Sequence, residues 1–138
     1  MKTMAIVVRD SAYDKILTPL AFAYLEAAEG VQVDVLFVNW AVRAMKQGGA
    51  AEFKVDAAYA DKDQWVRDQV AKAGMPSDLY ELIQAIKETD SVNFYACSLA
   101  ATVFDVPEES LIPECSGIVG ASWFLHEKAA KADHYQYF

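Results

Sequence analysis

Four short apolar runs rich in β-formers, Met4–Val8, Val31–Val38, Val92–Ala96 and Ile118–Ala121, are separated by stretches whose apolar residues recur at helical spacing. A strand that is apolar at almost every position must be covered on both faces. Strands joined through helices return parallel to one another. The alternation therefore predicts an α/β fold with a mainly parallel central sheet and helices on both faces. The pattern leaves the strand order open.

Between the first two runs, Ile16, Leu17, Leu20, Ala21, Tyr24, Ala27 and Ala28 share one helix face and end at Gly30, a residue suited to a helix C-terminus. Pro19 interrupts this pattern, so the helix either starts near Thr18 with Pro19 at its first position or is kinked there. A further helix-like patch runs from Trp40 to Gln47 before Gly48-Gly49. Asp61–Ala73 reads as an exposed helix with Asp61 as N-cap and Gln64 completing a capping box. Pro76 and Ser77 open another helix, with Leu79, Leu82, Ile83 and Ile86 on one face. After the third run come a helix through Phe104, a loop holding Pro107 and Pro113, and a last helix from Ser122 to Lys131. Ala50–Ala60 carries no readable pattern. The terminal Asp133-His134-Tyr135-Gln136-Tyr137-Phe138 is too aromatic for a solvated tail and is expected to pack on this or a neighbouring subunit.

At 138 residues the chain suits one domain, 1–138, with one core. With 20 acidic against 12 basic residues, the formal net charge is −8, and no Lys/Arg cluster is present to meet nucleic-acid phosphates or an anionic membrane surface. No apolar stretch is long enough to span a bilayer, and the N-terminus reaches Arg9 and Asp10 too soon for an export signal. The expectation is a cytoplasmic protein without nucleic-acid or membrane partners. A hydrophobic fraction of 54% suggests apolar surface buried between subunits. Two cysteines in that setting are expected to be reduced thiols, and neither Cys97 nor Cys115 has zinc-ligand spacing. No Gly-rich phosphate loop follows the first strand, so neither a metal nor a nucleotide cofactor is expected.

Cys97 is the residue with chemistry to offer. In Val92-Asn93-Phe94-Tyr95-Ala96-Cys97-Ser98-Leu99 it closes a buried strand and opens a helix, at the sheet edge where open parallel sheets bind ligands. Free N–H groups and the helix dipole there favour an anion, which predicts a lowered thiol pKa and a nucleophile. The alternative is a buried strand-end cysteine acting as a small hydrophobe. Tyr13 follows the first strand, Asn39 and Trp40 follow the second, and Ser98 adjoins the thiol, so these four are candidate pocket residues. Asp10 or Asp14 near the sulfur would count against activation. Cys115, in a Pro-Glu-Cys-Ser-Gly segment read as a loop, is a possible resolving thiol. His126 and His134 read as a helix-surface residue and a C-terminal packing residue.

The segments Gly74–Ile83, Phe94–Leu99, Pro107–Ile112 and Gly117–Ala121, with Ala5–Val8, Tyr13-Asp14-Lys15 and Val35–Trp40, resemble the DsrE/DsrF-like family of sulfur-relay proteins. The likeness covers the chain except Ala50–Gln69, and Phe94-Tyr95-Ala96-Cys97 is its most specific element. It implies a three-layer α/β/α domain, a homo-oligomer (trimer favoured, hexamer possible), and a persulfide on Cys97 passed between sulfur donor and acceptor proteins. Unlike some members, this chain has no second cysteine close to Cys97. A sulfurtransferase-like carrier is the first reading. A non-catalytic oligomeric interaction protein, or a small-molecule or anion-binding module of the same fold, are the alternatives.

Overall fold

The computed structural model describes residues 1–138. Strands β1 (Thr3–Val8), β2 (Gln32–Phe37), β3 (Val92–Cys97), β4 (Cys115–Val119) and β5 (His134–Tyr137) form one sheet in the order β4-β3-β2-β1-β5. Every neighbouring pair is parallel. The helices are α1 (Tyr13–Ala28), α2 (Asp63–Lys72), α3 (Leu79–Lys87), α4 (Ser98–Val103) and α5 (Ala121–Glu127), with 3-10 segments at Asn39–Met45, Ala50–Glu52, Ala57–Lys62, Glu108–Ser110 and Ala129–Lys131. The fold is the parallel α/β sheet that the alternation of runs predicts.

The strand order dictates how the faces are covered. From β1 to β4 each connection steps the same way across the sheet, and parallel crossovers are right-handed, so these connections gather on one face. Here Ile6, Val35, Phe37 and Phe94 meet Ile16, Leu20, Leu82, Ile83 and Ile86, all essentially without solvent exposure. The connection from β4 to β5 runs back across the sheet, so the same handedness puts α5 on the opposite face. Tyr95, which alternates with Phe94, packs there against Trp123 and Phe124 with ring centroids 5.6 and 6.0 Å away. Phe124 is the one fully buried residue of α5, so this second face is thinly covered.

Several local features depart from the sequence pattern. The helix α1 begins at Tyr13 and encloses Pro19, which is buried. The hydrogen bond lost at proline is offset by burial of Ile16, Leu20, Ala23 and Ala27 and by the Tyr13 N–H donating to Lys54 O at 2.7 Å. Trp40–Gln47 becomes a 3-10 segment, after which the chain doubles back so tightly that a Cβ on Gly49 would lie 1.8 Å from Arg43 O. Asp61 is not an N-cap. It sits inside a 3-10 turn capped by Asp56, and α2 starts at Asp63 with no side-chain cap, while Gln64 bonds Asp68. Asp78, not Pro76 or Ser77, caps α3 by accepting from Glu81 N at 2.9 Å. The fourth strand lies earlier than Ile118–Ala121 and includes Cys115, which is therefore not a loop residue. The last helix is broken at Lys128. The aromatic terminus packs on its own subunit as β5, pairing with β1. Its entry is pinned where Asp133 accepts from Lys2 N and Thr3 N at 2.6 and 3.0 Å.

Candidate functional site around Cys97

Cys97 ends β3 and is the N-cap residue of α4, with φ −67° and ψ 130°, and its side chain caps nothing. Strand alternation from Tyr95 turns it to the α5 side of the sheet, opposite Val119 of β4. The thiol is unpaired and 5% exposed. It lies just ahead of the first-turn amides of α4, which have no intrahelical acceptor. With six residues α4 has a small macrodipole, so these local N–H groups are what can favour an anionic sulfur. The neighbours of Cys97 along the chain, Ala96, Ala100 and Ala101, are buried in the same core, so the strand-to-helix junction as a whole is kept from water.

The candidate residues at the sheet edge divide into two groups. Asn39 takes a positive φ of 52° and accepts from Trp40 N at 3.0 Å, which starts the 3-10 segment. Trp40, 57% exposed, lies against Phe104 with ring centroids 4.4 Å apart. Arg43 donates through Nη1 to Phe104 O at 2.7 Å, and Lys46 Nζ donates to Asp105 O at 2.8 Å. Two cations and an indole thus hold the turn that ends α4, the helix that begins at Cys97. Ser98 is exposed and lines a shallow cavity of about 380 Å³ with Thr102, Asp105, Pro107 and Ile118. Tyr13 belongs elsewhere: its hydroxyl donates to Ser77 O at 2.6 Å, and its fully buried ring lies 4.0 Å beneath the Arg67 guanidinium. Asp14 is turned to the Asp56 amide, from which it accepts at 2.8 Å.

Within one chain Cys115 cannot resolve Cys97. Cys97 is in register with Val119, whereas Cys115 pairs with Phe94, three residues earlier on β3, which puts about 10 Å of strand between the two thiols' residues. A disulfide requires Cα atoms within about 7 Å. Burial also pushes the Cys115 thiol up, against smaller lowering contributions from hydrogen bonds to Gly117 and Ala96. His126 and His134 are exposed, on α5 and β5, with His134 Nε2 3.3 Å from Gln136 Oε1. The sequence reading passed over Arg43 and Arg67. Arg67 had a legible signal, its i,i+4 spacing from Asp63, whereas Arg43 bonds a carbonyl 61 residues away that no local pattern points to.

No helix is long and apolar enough to cross a membrane. No curated protein sequence matches the chain. Among solved structures, the ychN protein from E. coli is similar over 100% of both chains, with a TM-score of 0.69 and 15% identity. A protein of unknown function from Methanobacterium thermoautotrophicum, MTH1491, is similar over 99% of both, with a TM-score of 0.59 and 11% identity. At these identities the likeness is one of fold. The family model carries more: that of the DsrE/DsrF-like family matches residues 2–135, nearly the whole chain. On that match, the chain belongs to the DsrE/DsrF-like family.

Proposed function

We propose that this protein is a cytoplasmic sulfur carrier that holds sulfane sulfur as a persulfide on Cys97, acting as a single domain over residues 1–138. The observation that carries the reading is the placement of an unpaired, 5% exposed thiol at the buried junction of β3 and α4. In loading, the Cys97 thiolate attacks the outer sulfur of a donor persulfide. A new S–S bond forms on Cys97, the donor's S–S bond breaks, and the donor leaves as a thiolate. The exchange is redox-neutral and needs no cofactor. Delivery is the same step run onto an acceptor thiolate, and the sheltered position protects the persulfide from other thiols in between. Donor and acceptor are other proteins.

Assembly into a homo-oligomer, a trimer or hexamer, accompanies this reading. Its support is the apolar surface left open: Leu99 and Val103 on α4, and Trp123, Tyr135 and Tyr137 on the thinly covered face. Trp40, Asn39 and Ser98 line the approach to the thiol in this reading, with Tyr13 further off.

Incubation with a small-molecule polysulfide followed by intact-protein mass spectrometry tests the carrier. The wild type and Cys115→Ser should gain one sulfur atom reversible by dithiothreitol, and Cys97→Ser should not. Loading of Cys97→Ser, or no loading of wild type, would favour a non-catalytic member of the family. A monomer by light scattering at micromolar concentration would remove the oligomer.

A further inference from the structure

We propose that the cavity between the Ala57–Lys62 segment and α2 binds a small organic monoanion, an apolar body bearing a carboxylate or sulfonate, with Arg67 as its anchor. The cavity is about 610 Å³, within the range of small-molecule sites. Phe53, Val55 and Ala60 supply apolar wall, and its charged lining is Lys54, Arg67 and Asp63. Two cations to one carboxylate is the reverse of a chain whose net charge is −8. An organic cation would meet that excess unfavourably, and an anion favourably.

The Arg67 side chain is also preorganised. Its guanidinium carbon lies 4.0 Å from the Tyr13 ring centroid, Nε donates to Asp63 Oδ1 at 2.6 Å, and Nη2 donates to Phe53 O at 2.8 Å. A guanidinium has five N–H donors, and Nη1 has no acceptor among these bonds. Both Asp63 oxygens are engaged, Oδ1 by Arg67 and Oδ2 by Val55 N at 3.0 Å, which blunts repulsion of an entering anion. A fixed fork loses little entropy when it binds an oxyanion.

The test is an NMR titration of the full chain with 2-naphthoate and 2-naphthalenesulfonate, against 1-naphthylmethylamine as a cation of similar shape. Saturable shifts at the Val55, Asp63 and Arg67 amides are expected for at least one anion, with the amine at least about tenfold weaker. Ala60→Phe fills the cavity while leaving Arg67 in place and should abolish the shifts. Arg67→Lys keeps the charge but loses the fork and should weaken binding. If that variant disturbs the arm, Ala60→Phe decides alone. Equal binding of amine and anions, no saturable shift from either anion, or undiminished binding by folded Ala60→Phe would overturn the proposal.

Discussion

Replacing Phe124 by alanine should detach the one α-helix that covers the Cys97 side of the sheet. Phe124 is fully buried, whereas Trp123 and Leu125 beside it are 43% and 45% exposed. Removing a buried phenylalanine forfeits about 1.5–3 kcal/mol of transfer free energy. The edge-to-face contact with Tyr95 adds about 0.5–1.5 kcal/mol. A rigid surround would add a cavity cost, taking such changes to about 3–5 kcal/mol. Because α5 has no other buried residue, it should relax instead of preserving a void, so the expected loss is about 3 kcal/mol. At this chain length that lowers Tm by about 10–15 °C. Urea unfolding followed by circular dichroism measures it, with Trp123→Ala as the comparison at two protein concentrations. Trp123 touches the same Tyr95 ring but keeps much of its surface in water, so its truncation should cost about 1 kcal/mol. A concentration-independent loss in Trp123→Ala as large as in Phe124→Ala would refute the single-anchor argument. So would a Phe124→Ala loss below about 1 kcal/mol.

Tyr13→Phe removes the hydroxyl bond to Ser77 O and should cost about 1–2 kcal/mol in the same assay, while leaving sulfur loading intact. Asp133 is held below the usual carboxylate range, first by the Lys2 N–H bond and then by that from Thr3. A depressed folded-state pKa stabilises the protein above the unfolded carboxylate value and is lost as pH falls through the folded one. Asp133→Asn should therefore be the less stable protein at neutral pH, and its deficit should shrink below about pH 4; a deficit constant with pH would contradict this. Burial raises the Cys115 thiol, so iodoacetamide should modify Cys115 more slowly than Cys97 at neutral pH. The Cys115 rate should still climb with pH where a free thiol, pKa about 8.5, has levelled off.

The runs at Met4–Val8, Val31–Val38 and Val92–Ala96 declared themselves because Met4–Val8 is buried at every position and the other two at most of theirs, and burial of that kind is written into composition. The same holds for Leu79, Leu82, Ile83 and Ile86, whose spacing is a helix face by itself, and for Cys97, which marks where one period ends and another begins. What local pattern could not hold was anything decided by a partner distant in sequence. The strands β4 and β5 are edge strands with half-buried or exposed residues, so β5 does not announce itself as an apolar run and β4 shows only its last two residues, Ile118 and Val119, in one; each exists because β3 or β1 offers it a ladder. Pro19 argues locally against a helix that packing sustains, and Asp61 argues for a cap on α2 that the structure leaves unmade, because Asp61 is taken up in a 3-10 turn capped by Asp56. The separation of Cys115 from Cys97 follows from register alone. Strand order decided the rest. Once β5 returns to the far side of β1, right-handed crossover confines most helices to one face and leaves Tyr95, Cys97 and α5 on the other, a consequence of handedness acting over the whole sheet that no window of sequence contains.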